Sequence, residues 1–340
     1  MKMRAIQVVK AGEMRLVERD VPEIINDTDV LLKVKAAGIC GSDVHIAHGT
    51  NPYAIYPRIP GHEVAGEVAE VGSAVKSLKK GDKVVLEPIT YCGKCYACRK
   101  GRHNVCESIK VNGVHVDGGF QEYMVVDQKQ LHRFPEEISF VQAATVEPYT
   151  IGEQSNSRGG TSDGDVVLIH GAGPMGLVIC DVAKSRGAIC IVSELNEQRL
   201  NMAKNFGADY LINPLKENIR DKVLEYTNGM GPNIIFEATG VPSLLAESVE
   251  MVSAAGTVVP LSFDTKPIPI NFQQVNKKEV TIVGTRLQYN KFPVVIASLK
   301  DRINRIDKFI THVFPAEKYE EAFKTFTDKS SGACKVILTF

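Results

Sequence analysis

Residues 165–176 read DVVLIHGAGPMG, and this stretch decides the fold. Five apolar-rich positions of strand length run into Gly171-Ala-Gly173-Pro174-Met175-Gly176, a G-x-G-x-x-G turn, and a helical run continues to about Arg186. The next apolar run, AICIVS (188–193), ends on Glu194. In that setting the first glycine makes the turn, the second lets backbone approach a pyrophosphate, and the third allows close packing of helix on strand. The free N–H groups of the helix N-terminus then face the phosphates. Glu194 is placed to accept hydrogen bonds from the adenosine ribose, and its charge repels a 2′-phosphate, so NAD is expected over NADP. Arg199, five residues on, tempers that preference.

Working outward, the same rhythm continues: DYLI, a helix near 216–227, NIIFEA (233–238), a helix near 242–253, TVVPLS (257–262) and VTIVG (280–284). Six strands joined by helical crossovers predict a doubly wound parallel sheet, the Rossmann arrangement, over 149–285. The first 148 residues differ. Val30, Leu32, Val34 and Ala36 alternate with Leu31, Lys33 and Lys35 as a half-buried strand, and HEVAGEVAEVG (62–72) and GDKVVLEP (81–88) add short strands bounded by Gly and Pro. A helix after Pro293, another near 317–327 and a final strand CKVILT (334–339) form a returning tail from 286. At 340 residues the chain exceeds what one core serves, so two domains are expected. Lys plus Arg and Asp plus Glu are 40 each, which gives no electrostatic case for nucleic acid or an anionic membrane. No apolar run approaches a membrane span, and no signal-peptide pattern stands at the start.

Cys92, Cys95, Cys98 and Cys106 follow as C-x2-C-x2-C-x7-C within 88–110. Thiolates at such spacing wrap one divalent ion tetrahedrally, which predicts a closed structural zinc lobe and a reducing, cytoplasmic setting. A second set is dispersed: Cys40-Gly-Ser42-Asp43-Val-His45, Gly61-His62-Glu63, and Glu147-Pro148. Cys40, His62 and a carboxylate are the three-ligand arrangement of a catalytic zinc with one open position. Each residue alone also suits a core position, and Glu147 before Pro148 also suits the first turn of a helix.

Taken in order, CGSDVH, PGHEVAGEV, CGKCYACRKGRHNVC, the Glu147-Pro148 pair and GAGPMG resemble the zinc-dependent medium-chain dehydrogenases over essentially the whole chain. The resemblance implies a GroES-like β-rich catalytic domain (1–148 and 286–340) beside the Rossmann domain. It also implies two Zn2+ per chain, with Cys40 and His62 as catalytic-zinc ligands. The alcohol-dehydrogenase branch has a second cysteine where this chain has Glu147. The sorbitol and threonine branches carry glutamate there, so Glu63 and Glu147 are both candidate ligands. The implied reaction is hydride transfer from a secondary alcohol to NAD, with Ser42 taking the hydroxyl proton, His45 passing it outward, and Asp43 orienting His62. A homo-oligomer, dimer or tetramer, is implied too, with the 257–284 segment as the pairing edge.

The carboxyl-terminal third, TRLQYNKFPVVIASL (285–299), THVF (311–314) and CKVILTF, resembles the L-galactonate and L-gulonate dehydrogenases. Arg286 and Lys291 would suit a substrate carboxylate, and Asn290 its hydroxyls. A sugar acid therefore leads, followed by a neutral polyol and an L-threonine-like amino alcohol. A different class, a zinc- and nucleotide-binding regulator without turnover, would rest on the basic lobe residues Lys94, Arg99, Lys100, Arg102 and His103. It would have no need for Cys40 and His62 together with a nicotinamide fold.

Overall fold

The computed structural model describes residues 1–263 and 265–340. It divides into two compact units, Met1–Glu147 with Tyr289–Phe340, and Pro148–Gln288. Arg286, expected at the head of the returning tail, therefore groups with the middle unit, whereas Asn290 and Lys291 group with the outer one.

In the middle unit six parallel strands stand in the order Tyr210–Ile212, Ile189–Ser193, Val166–His170, Ile234–Glu237, Thr257–Pro260, Thr281–Ile282. Strand order reverses between Val166–His170 and Ile234–Glu237, and the crevice beyond the carboxyl ends of those strands is where such sheets bind nucleotides. Val167, Leu168, Ile169, Ile191, Ile235 and Val258 are fully buried, as strands covered on both faces require. The last strand is shorter than the 280–284 run suggests: only Thr281 and Ile282 pair with Thr257 and Val258, at an exposed sheet edge.

The outer unit is built on a seven-stranded sheet. Its order is Ile310–Pro315, Lys335–Thr339, Asp29–Ile39, Glu63–Val71, Lys83–Leu86, Leu131–Arg133, with Tyr123–Asp127 also paired to Asp29–Ile39. Alternation along Asp29–Ile39 buries Val30, Leu32, Val34 and Ala36 while Leu31, Lys33 and Lys35 stay half-exposed. The tail strand Lys335–Thr339 lies antiparallel to Asp29–Ile39, with Val336 opposite Ile39 and Ile337 opposite Gly38. Lys2–Lys10 and Glu13–Asp20 form a hairpin whose Ala5, Ile6 and Val8 enter the same core.

Candidate metal centres and cofactor turn

Cys92, Cys95, Cys98 and Cys106 bring their sulfurs together within 4.8 Å of one another. The hairpin Ile89–Thr90 with Lys110–Val111 closes the base of the lobe. The Cys95–Cys98 and Cys92–Cys106 sulfurs are each 3.5 Å apart. A disulfide needs ~2.0 Å. Four sulfurs ~2.3 Å from a central ion lie near 3.5–3.8 Å from each other. All four cysteines are free, so the lobe fits one zinc ion. Backbone N–H groups already serve the sulfurs: Cys95 donates to Cys92, and Cys92 and Ser108 donate to Cys106. Backbone donors from Cys98 and Glu107 hold the Cys95 thiol down at about 6.

The dispersed set also converges. Cys40, His62 and Glu63 place one donor atom each within 4.8 Å of the others. Cys40 precedes the helix Gly41–His48, and Asp43 at its third position accepts from the Cys40 backbone N–H at 2.8 Å, an N-terminal cap that fixes where the thiol points. Asp43 also accepts from Gly61 N–H at 3.1 Å and so ties the cysteine turn to the loop that delivers His62. Gly61 has φ +96°, and a Cβ there would stand 2.5 Å from the Phe120 ring, so only glycine makes this turn. Asp43, expected to orient His62, makes no hydrogen bond to it. Its oxygen is 3.7 Å from His62 Nδ1, while the two carboxylate oxygens accept from the backbone of Cys40 and Gly61. It acts on the ring through charge. Burial disfavours a protonated His62, yet Asp43, Cys40 and Glu147 outweigh it and raise the ring's pKa well above the usual value. His62 Nδ1 has no hydrogen-bond partner. A half-buried thiol, a buried imidazole and a buried carboxylate within 4.8 Å of one another are a donor set suited to a zinc ion.

Sequence reasoning missed Lys335. Its ammonium is 2.6 and 2.8 Å from the two Glu63 oxygens and donates to Ile39 O at 3.1 Å. Lys335 is 2% exposed and Glu63 1%. Burial works against the lysine's charge, but the Glu63 carboxylate prevails and raises its pKa. The sequence signal was a lone lysine in an otherwise apolar terminal strand, CKVILTF. Glu147 lies in the first turn of helix Val146–Gly159, 5% exposed, and burial pushes its carboxyl up to about 7 against the pull of His62. It is not among the three mutually close donors, although its field reaches His62.

Ser42 Oγ is buried without a hydrogen-bond partner, while His45 is exposed and its Nδ1 meets Thr50 Oγ1 at 2.8 Å. In the middle unit Gly171 has φ +97°, and a Cβ on Gly176 would stand 1.9 Å from Gly171 O. Nothing lies within 4 Å of a Cβ on Gly173, which caps helix Pro174–Ser185 without any side-chain bond, leaving open space over unpaired N–H groups. Pro174 and Met175 form the first turn of that helix, both half-buried. Glu194 accepts from Ala172 N–H at 2.9 Å and Asn196 N–H at 3.0 Å, which holds the carboxylate beside the glycine turn. Arg199 is half-buried in helix Glu197–Asn205.

A dinucleotide turn at a switch point, together with a largely buried thiol–imidazole–carboxylate cluster, defines a metal-dependent nicotinamide oxidoreductase. Residues 26–136 match the alcohol dehydrogenase GroES-like domain, and residues 174–301 match the zinc-binding dehydrogenase model. The starvation-sensing protein RspB of Escherichia coli K12 is 39% identical, over 99% of both chains. The crystal structure of rspB alcohol dehydrogenase from E. coli CFT073 with NADH has a TM-score of 0.94 at 38% identity, covering 100% of this chain and 99% of that one. L-threonine 3-dehydrogenase of Pyrococcus horikoshii is 39% identical over 97% of each chain. The L-idonate 5-dehydrogenase structure of E. coli K-12 has a TM-score of 0.91 at 26% identity, covering 100% of this chain and 99% of that one. The chain belongs to the zinc-dependent medium-chain alcohol dehydrogenase family. It is a zinc- and NAD-dependent oxidoreductase acting on an alcohol or polyol. Among the described residues no helix is long and apolar enough to cross a membrane.

Proposed function

We propose that this enzyme oxidises a secondary hydroxyl of a carboxylate-bearing substrate, a sugar acid of the L-galactonate or L-gulonate type, to a ketone. Cys40, His62 and a glutamate would hold the catalytic zinc, and the four-cysteine lobe a structural one. When bound, zinc supplies Lewis acidity that eases loss of the hydroxyl proton, and NAD accepts the hydride. The observation that carries the reaction is the Cys40–His62–Glu63 cluster, whose cysteine stands two residues before Ser42, a serine with a hydroxyl that lacks a partner. Ser42 Oγ takes the substrate proton, and exposed His45 at the end of the same helix releases it toward solvent. Gly171, Gly173, Pro174, Met175 and Gly176 bind the pyrophosphate, and Glu194 the ribose, with Arg199 beside it.

Arg286 and Lys291 are the anion-recognising residues of this reading, with Asn290 on the hydroxyls. They belong to a constrained segment: Leu287 and Asn290 hold φ of 46° and 55°, and Lys291 heads the 18-residue helix Phe292–Phe309. Non-glycine residues in that region cost energy and are held by their surroundings, as binding segments often are. The likeness to L-idonate 5-dehydrogenase supports a sugar acid. Threonine is the second reading, favoured by the 39% identity to L-threonine 3-dehydrogenase, and it too carries a carboxylate. Initial rates with NAD on L-gulonate, L-galactonate, L-threonine and sorbitol test the proposal. Turnover of sorbitol alone would remove both the sugar acid and the role of Arg286. The enzyme is further read as a cytoplasmic homo-oligomer pairing along the exposed edge Thr281–Ile282, which light scattering on Ile282→Lys checks.

A further inference from the structure

Outside both metal-type clusters, three titratable side chains meet where the cysteine lobe joins the outer sheet. Glu87 follows the strand Lys83–Leu86 and leads the chain into the lobe. Its Oε2 meets His132 Nε2 at 2.8 Å, and its Oε1 lies 4.0 Å from His103 Nε2. The Glu87 backbone is pinned as well: its N–H donates to Gln130 O at 2.6 Å, and its carbonyl accepts from Gln130 Nε2 at 3.1 Å. Side-chain exposures of 13% for Glu87, 13% for His103 and 23% for His132 keep these contacts largely out of water, where polar contacts are stronger.

His103 belongs to the lobe. It begins the turn His103–Val105 that delivers Cys106, whose N–H donates to His103 O at 3.0 Å. Its ring stacks on Tyr91, with centroids 4.2 Å apart and planes at 17°, and meets Tyr289 edge-on at 6.0 Å and 81°. His132, on strand Leu131–Arg133, stacks on Phe292 at 5.0 Å and 13°. Tyr289 and Phe292 are the residues on either side of Asn290 and Lys291. One carboxylate thus faces two imidazoles, and those rings grip the chain before and after the pair read as meeting substrate. Asn290 holds φ 55°, a conformation that its surroundings must impose, and this grip is on both its flanks.

Resting on the reading of Asn290 and Lys291 as substrate contacts, we propose that Glu87, His103 and His132 are positioning residues for substrate binding. Through them the cysteine lobe sets the conformation of residues 289–292. None of the three touches substrate. Removing the carboxylate's charge lets both rings turn, and the segment then samples conformations that misplace Asn290 and Lys291. Substrate affinity falls by the fraction of molecules left in the binding-competent form, while hydride transfer in those that have bound is unchanged.

The test uses full-length zinc-loaded enzyme and the fastest of L-gulonate, L-galactonate, L-threonine and sorbitol. Glu87→Gln should raise the substrate KM about tenfold, with kcat and the KM for NAD within about twofold of wild type. Tyr289→Ala should do the same, and Tyr289→Phe should recover the wild-type KM, because the ring edge makes the contact. Lys291→Ala should raise KM by itself, and adding Glu87→Gln to it should raise KM little further, since both act through one segment. Should Glu87→Gln lose zinc or unfold, His132→Phe carries the same cycle, for it keeps the stack on Phe292 and gives up only the bond to Glu87. A substrate KM equal to wild type, a loss confined to kcat, or fully additive effects with Lys291→Ala would overturn the proposal. An unchanged KM in Lys291→Ala would instead remove the substrate reading beneath it.

Discussion

The two cysteine-bearing centres of this chain are opposites in construction. The lobe draws four identical donors from 15 consecutive residues, Cys92 to Cys106, on short hairpin and helical turns. The other centre draws thiol, imidazole and carboxylate from the start of a helix, a loop and a strand, supported by a lysine some 270 positions away. Four thiolates fill a tetrahedron and leave nothing for substrate. Three mixed donors within 4.8 Å, with the Glu147 carboxylate buried nearby as a fourth candidate, leave the ligand count adjustable. On the proposed reading, reaction belongs to the dispersed centre and the compact one serves folding.

The sharpest break in that comparison is Cys40→Ser. Turnover should fall by about a thousandfold or more, because the ligand set that eases proton loss is incomplete. The thermal transition should stay near wild type, and elemental analysis should find about one zinc per chain. Cys92→Ser should do the reverse: loss of the lobe's metal, a melting temperature lower by more than about 5 °C, and residual activity in whatever stays folded. A Cys92→Ser protein with unchanged melting and no activity would exchange the roles of the two centres.

A pH series on metal-free protein sharpens the contrast. Burial raises the Glu147 carboxyl to about 7, so the folded state favours its protonated form more than the unfolded state does. Its stabilising effect is complete below the unfolded value of ~4.3 and is lost as pH rises through about 7. Glu147→Gln should flatten that decline in denaturant titrations between pH 5 and 8, while the lobe contributes no counterpart from a carboxylate. The smallest effect lies in the cofactor unit. Glu194→Gln should raise the KM for NAD and narrow its advantage over NADP by about tenfold, the equivalent of ~1.4 kcal/mol.

Legibility in the sequence followed locality. The lobe and the glycine turn are written in consecutive residues, and both stand where those residues put them. The six parallel strands were readable because each is a short apolar run between turn signals. Cys40 and His62 needed a resemblance to be paired, since spacing says nothing about residues that meet only after folding. Asp43 was assigned to His62 by proximity in the motif, but the backbone N–H groups of Cys40 and Gly61 claimed its oxygens first. Lys335 showed only as a lone lysine in an apolar strand, and its partner across Gly38 could not be read, because that pairing is fixed by strand register rather than by sequence distance. The 280–284 run shrank to Thr281–Ile282 for a related reason: β-propensity marks a run as able to pair, not how many partners the sheet has left for it.

Lys335–Thr339 has one more consequence, in the order of assembly. This strand lies between Ile310–Pro315 and Asp29–Ile39, and its lysine reaches residues 272 and 296 positions earlier in the chain. On a ribosome the Pro148–Gln288 unit is continuous and emerges complete while the outer sheet still lacks its inner strand. The lobe can gather its cysteines early, since its contacts are local. The chemical centre has to wait for the last strand, because contacts of such sequence separation close late. A nascent chain of this protein thus becomes a folded nucleotide binder before it can become an enzyme.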